Sequence, residues 1–111
     1  MEKRTLSTAL AVATATESGT VRLKRSNVMV RITHNLTTAS GSAYVDLYPS
    51  VSLDNGTTWN RLTTPTVQIA ATGSGTKFMN ITGLPPAIPL RIEIAKTGSP
   101  VGPVSSIEFA S

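Results

Sequence analysis

Hydrophobic and polar positions alternate with a period of two along much of this chain. Val28, Val30 and Ile32 alternate with Met29, Arg31 and Thr33, and Leu90, Ile92 and Ile94 with Arg91, Glu93 and Ala95. Val45 and Leu47 are set between Tyr44, Asp46 and Tyr48, while Ile107 and Phe109 flank Glu108. Successive side chains of an extended strand point to opposite faces, so each of these segments has one face for a core and one for solvent. No segment holds a helical period for three turns.

Turn-forming residues divide the segments at short intervals: "ESG" at 17–19, "KRSN" at 24–27, "TASGS" at 38–42, "DNG" at 54–56, "ATGSG" at 71–75, "GLPPAIP" at 83–89 and "KTGSPVGP" at 96–103. Between them the chain reads as about eight strands: 4–16, 20–24, 27–36, 43–53, 57–62, 66–71, 77–82 and 89–96, with 104–110 as a candidate ninth. Short strands at this spacing predict an all-β fold, an antiparallel sandwich of two sheets. Alternation leaves two topologies open, jelly-roll-like and immunoglobulin-like. Pro49 interrupts the longest run. Lacking a ladder donor, it requires an edge position or a bend there.

Length and composition narrow the picture. The 111 residues make one domain, 1–111, able to bury roughly two-thirds of its unfolded surface. With no cysteine there is no disulfide, thiolate nucleophile or Cys-based metal site. Ser and Thr supply about a quarter of the chain, which favours strands over long helices.

The net charge of +4 lies entirely in the first third. Lys3, Arg4, Arg22, Lys24, Arg25 and Arg31 face only Glu2 and Glu17 there, and the remaining charges balance. Residues 1–25 therefore read as a basic N-terminal arm or edge strand, with Lys3, Arg4, Arg22, Lys24 and Arg25 as candidate contacts to an acidic partner surface. "MEKRTLSTALAVATA" has the outline of a secretory leader, but Ser7 and Thr8 break its apolar middle, and it fits a first strand better. No apolar run approaches the length of a membrane span.

Candidate chemistry is sparse. His34 is the only histidine, and the six carboxylates are scattered singly, so neither a nucleophile–base pair nor a metal-ligand cluster is expected. No glycine-rich loop has the strand–loop–helix setting of a phosphate cradle. The basic residues of the first third have no stacking aromatics beside them, which argues against direct nucleic-acid binding. The expectation is a non-enzymatic protein with no catalytic residue, metal or cofactor.

One short string stands out. In "SVSLDNGTTWNRL", Ser52, Asp54, Gly56, Thr58 and Trp59 have the spacing of the Asp-box that recurs in sialidases and related propeller proteins. There it lies away from the catalytic pocket, so the resemblance implies a folding role. Two hairpin registers are possible. A three-residue Asp54-Asn55-Gly56 loop puts Trp59 across from Val51 on the Leu53 face and gathers the apolar residues together, so Ser52, Asp54, Gly56 and Trp59 are expected to build a structural hairpin with Trp59 buried.

On a larger scale, "AYVDLYPSVSLDNGTTWNRLT" followed by "MNITGLPPAIPLRIEIAKTG" resembles small bacteriophage virion proteins. In these a strand leads into a Ser-x-Asp-x-Gly-x-x-Trp hairpin, then a Leu-Pro loop and an Arg-Ile/Val-x-Ile/Val strand. Residues 43–96 carry the likeness. It implies a β-sandwich of the capsid decoration or cement type, bridging major capsid subunits on the virion surface as a homo-oligomer such as a trimer. The alternatives are a tail, neck or fibre-base component, or a carbohydrate-binding module presenting Tyr44, Tyr48 and Trp59. No direct nucleic-acid or membrane partner is implied.

Overall fold

The computed structural model describes residues 3–6, 10–12, 16–37, 43–62 and 66–111. Ten strands form, and no helix is present among the described residues: β1 (Lys3–Leu6), β2 (Leu10–Ala11), β3 (Val21–Arg22), β4 (Val28–Leu36), β5 (Tyr44–Val51), β6 (Asn60–Arg61), β7 (Val67–Ala70), β8 (Gly73–Ile81), β9 (Pro89–Thr97) and β10 (Pro103–Ala110). They make two antiparallel sheets of five strands each. The expected strand over 4–16 corresponds to β1 and β2, with its residues 7–9 and 13–15 outside the described set. Residues 104–110 are a full central strand.

Several strands share one position along a neighbour's edge. β1 and β2 both pair with β10. Glu17 bridges to Glu93, and β3 continues along the same edge of β9. β6 and β7 both pair with β5. The chain therefore fills eight positions, and their pairing is nested: first with eighth, second with seventh, third (β4) with sixth (β8), fourth (β5) with fifth. Rolling that long hairpin over adds the β10–β4 and β9–β5 contacts. This is the connectivity of a jelly roll, one of the two topologies left open by alternation.

The core lies between the sheets. β4 contributes Val28, Val30, Ile32 and Leu36, while β9 contributes Leu90, Ile92 and Ile94, all buried at alternate positions. β10 departs from simple alternation: its register on β4 shifts between Val104 and Ser106. The extra residue is a β-bulge, and it keeps Val104, Ile107 and Phe109 all buried despite their uneven spacing. Phe109 is the one aromatic ring in the core.

Pro49 sits in a central strand, paired with Ile92 on one side. Its carbonyl accepts from Leu62 N (2.8 Å) on the other. A strand residue points its N and O to the same side, so the missing donor faces the Leu62 side, just past the end of β6, where the ladder keeps the bond to the Pro49 carbonyl and lacks its return bond. Elsewhere the boundaries shift: β8 begins at Gly73, so "GSG" at 73–75 is strand and not turn, and the strand expected over 57–62 contracts to Asn60–Arg61.

Candidate functional site

Strand register collects the basic residues of the first third at one end of the sandwich. Lys3 pairs with Ala110, which pairs with Met29 at the start of β4; Lys24 and Arg25 occupy the turn leading into that strand. Arg22 pairs with Pro89 at the start of β9. Backbone bonds tie the three loops of this end together: Leu84 N to Ser26 O (3.0 Å), Ala87 N to Leu23 O (2.8 Å) and Ser52 N to Pro89 O (3.1 Å). Lys3, Arg4, Arg22, Lys24 and Arg25 are all exposed, with Asp54 the carboxylate on the loop among them.

The Asp-box residues brace that loop. Ser52 is buried; its hydroxyl donates to Asp54 Oδ1 (2.8 Å) and accepts from Gly56 N (2.7 Å) and, more weakly, Asp54 N (3.4 Å). Asp54 Oδ1 also accepts from Thr58 N (2.7 Å). The Thr58 amide first, then the Thr58 and Ser52 hydroxyls, hold the Asp54 carboxyl down to about 2 from its ordinary 3.8. Asn55 and Gly56 both take positive φ at the tip. Arg22 clamps the loop from outside, donating to Asn55 Oδ1 and to Ala87 O (3.2 Å).

The expected register is wrong here. Val51 pairs with Asn60, not Trp59, and the connection runs through residues 52–59. Leu53 is 79% exposed, and Trp59 is half-buried outside the core. Side-chain bonds from Ser52 and Asp54 to loop amides satisfy groups that a tighter hairpin would have placed in the ladder. They outweigh the gathering of two apolar residues.

Trp59 lies instead over the outer face of the β3–β9–β5–β6/β7 sheet, its Nε1 donating to Gly56 O (3.2 Å). Its ring stacks on the Arg91 guanidinium at 4.2 Å, and Arg61 stacks on Tyr48 at 4.5 Å. Glu93 joins the two stacks through ion pairs with Arg61 (3.0 Å) and Arg91 (3.4 Å). Burial pushes the Glu93 carboxyl up, but the nearby Ser50 hydroxyl and the two guanidinium groups together hold it below its ordinary value. Ser50 Oγ, fully buried between Arg61 and Arg91 in the register, contributes by proximity and makes no hydrogen bond of normal geometry. Tyr44 is half-buried two steps further along β5. Alternation places Arg91 and Glu93 opposite Ser50 and Tyr48 on one face. Nothing in the alternation indicates where Trp59 goes, so the stacks leave no trace in the sequence pattern.

His34 is the third feature. It occupies an inward position on β4, 6% exposed, and neither ring nitrogen has a hydrogen-bond partner. Burial lowers its pKa from 6.5; proximity to the Gly73 backbone opposes this, and the charge on Lys77 adds to it. Between the folded pKa and 6.5 the unfolded chain holds more protons than the folded one. Its contribution is therefore complete above pH 6.5 and is lost as pH falls through that value. Urea midpoints should decline below pH 6.5, with a slope of at most about 1.4 kcal/mol per pH unit for one proton. His34→Leu should flatten this decline, while the carboxyl-dependent loss near pH 4 and below, from Glu93 and Asp54, remains.

Among the described residues no group of three or more His, Asp or Glu is placed to hold a metal ion. No helix among the described residues is long and apolar enough to cross a membrane. Compared with known protein families, curated proteins and solved structures, the chain matches none.

Proposed function

We propose that this protein is a non-enzymatic virion structural component, a capsid decoration or cement protein that binds major capsid subunits through the basic end of the jelly roll. The observation that carries this reading is the gathering of Lys3 and Arg4 with Arg22, Lys24 and Arg25, two separate segments, onto one end, around a side-chain-braced loop. That loop holds Leu53 out in solvent beside an open cleft of about 330 Å³ walled by Pro85, Pro86 and Ile88. A rigid apolar tip within a cationic rim suits a flat acidic surface offering a small apolar recess. Repeated copies on a lattice, or as a homo-oligomer such as a trimer, would add avidity to a modest single contact.

Two measurements test the reading. Mass spectrometry of purified particles should find hundreds of copies each; a handful per particle would favour a tail, neck or fibre-base position. Replacing Lys3, Arg4, Lys24 and Arg25 with Gln, while keeping Arg22 because it braces the loop, should slow association with particles on the order of tenfold or more at low salt. The difference should shrink as salt rises. Unchanged occupancy at low salt would remove the basic end from the interface.

A second reading is favoured by one specific observation, the position of Trp59 on an outer sheet face with Tyr48 and Tyr44. Aromatic faces set among fixed Arg, Glu and Gln side chains are suited to sugar rings, which stack through their C–H face and hydrogen-bond at their edge. On this reading the protein is a carbohydrate-binding module, and glycan-array binding should appear and be lost in Tyr48→Ala. Absence of any glycan signal leaves the virion role as the better account.

A further inference from the structure

We propose that the outer face of the β1–β10–β4–β8 sheet pairs with the same face of a second copy of this chain, about a two-fold axis that runs along the strands between β10 and β4. Register fixes what this face presents. One row across it reads Thr5, Glu108, Arg31, Phe78. The row beside it reads Lys3, Ala110, Met29, Asn80. On β10, β4 and β8 these positions alternate with the buried Phe109, Val30 and Met79, so they point away from the core.

Two features set the face apart. Met29 is 45% exposed and Phe78 61% exposed, and among the described residues they are the large hydrophobic side chains left open on strands; Leu53 and Val101 lie outside the ten strands. Beside them Arg31 and Glu108 form an ion pair (3.2 Å), and Lys3 is the other charge in the two rows.

Symmetry selects the partner. An isologous contact requires a surface complementary to itself. Turning one copy about an axis parallel to the strands, midway between β10 and β4, exchanges the two halves of each row. Arg31 then meets Glu108 of the second copy, and Glu108 meets Arg31. Phe78 stands over Thr5 and Met29 over Ala110, large on small, while Lys3 meets Asn80 and no like charge. An axis laid across the strands along the charged row would instead oppose Arg31 to Arg31 and Glu108 to Glu108. The apolar side chains supply buried area, and the four alternating charges fix the alignment more than they add affinity.

Four strands about 4.8 Å apart and about seven residues long give a face of roughly 20 by 25 Å, or about 1,000 Å² for the pair, the lower limit for a specific interface. Association should therefore be weak, with a dissociation constant on the order of 100 µM, and monomers should prevail at the concentrations of an unfolding experiment. The pairing stands apart from the virion role proposed above. Its consequence for that role is bivalence, because an axis along the strands leaves both basic ends on the same side.

Sedimentation velocity of the intact protein tests this from about 10 µM to about 1 mM, either side of that constant. A reversible monomer–dimer equilibrium is expected. Arg31→Glu and Glu108→Arg should each weaken it about tenfold or more. An equimolar mixture of the two variants should recover it, since the mixed pair again opposes unlike charges while the ion pair within each chain stays lost. Phe78→Ser should weaken association severalfold, and Thr97→Lys, on the outer face of the other sheet, should leave it unchanged. Thermal melting at low concentration shows that each variant is folded. A monomer throughout the range, charge variants that associate like the parent, or a mixture no stronger than either variant alone would overturn the proposal. So would dissociation by Thr97→Lys.

Discussion

Phe109→Ala should lower the free energy of unfolding by about 3–5 kcal/mol, read as a fall in the urea midpoint with the slope unchanged. The total stability of a domain of this class is about 5–15 kcal/mol, so one substitution would remove a large share of it. The size of the effect follows from position and from scarcity. Phe109 is fully buried on β10, opposite Val30 on one side and Arg4 on the other. The rest of the core is Val, Ile, Leu, Met and Ala, so no second ring is present to swing into the space. Aliphatic side chains held on two hydrogen-bonded sheets relax only partly around a cavity, and the cost combines lost transfer energy with lost contacts. Phe78→Ala is the matched control. That ring is 61% exposed on the outer face of β8, and its loss should stay within about 0.5 kcal/mol. Similar losses at the two positions would mean that Phe109 does not organise the core as described.

The contrast between these two phenylalanines shows which parts of the molecule could be read from residues alone. Where Val and Ile alternate with polar residues, as in β4 and β9, burial of one face dictates the register, and the boundaries fall within a residue of those expected. Phe109 and Ile107 announce an inward face in the same way. Val104 lies out of phase with them, and that three-residue interval is the trace of the bulge in the sequence. At the Asp54 loop, hydrophobic consistency and turn chemistry both favour a three-residue hairpin, and the structure departs from it. Ser52 is buried with its hydroxyl committed to three partners, and that polar network sets the chain path and carries Trp59 outward. Polar side chains that compete with the ladder have no periodicity to detect. The convergence of Lys3 and Arg4 with Arg22, Lys24 and Arg25 is of another kind: charge counting finds them, but only the nested pairing brings the two segments to one end. Nothing in the one-dimensional pattern marks Gly75 as the residue that leaves room for the His34 ring.

Gly102→Ala should destabilise the protein by about 3 kcal/mol or more, beyond what backbone conformation alone accounts for. Gly102 takes φ +106, a region that side chains rarely enter, and a Cβ built on it would stand 2.4 Å from the carbonyl oxygen of Asn35. The obstacle is backbone, so no rotamer change relieves it. Relief requires moving either the β9–β10 connection or the end of β4. Both are pinned by the reciprocal bonds between Thr37 and Val101 (2.9 and 2.8 Å), and Val12 N adds a third bond to Gly102 O (3.0 Å). Gly83→Ala separates conformation from crowding. Gly83 also has positive φ, +76, but nothing lies within 4 Å of its added Cβ, so only the conformational cost of about 1–2 kcal/mol should appear. Thermal unfolding of the two variants side by side should place Gly102→Ala well below Gly83→Ala, with roughly 4–8 °C for each kcal/mol of difference. Equal melting temperatures would show that the chain passes Asn35 with room to spare. The close packing of β4 against the β9–β10 connection, which closes this end of the jelly roll, would then have to be abandoned.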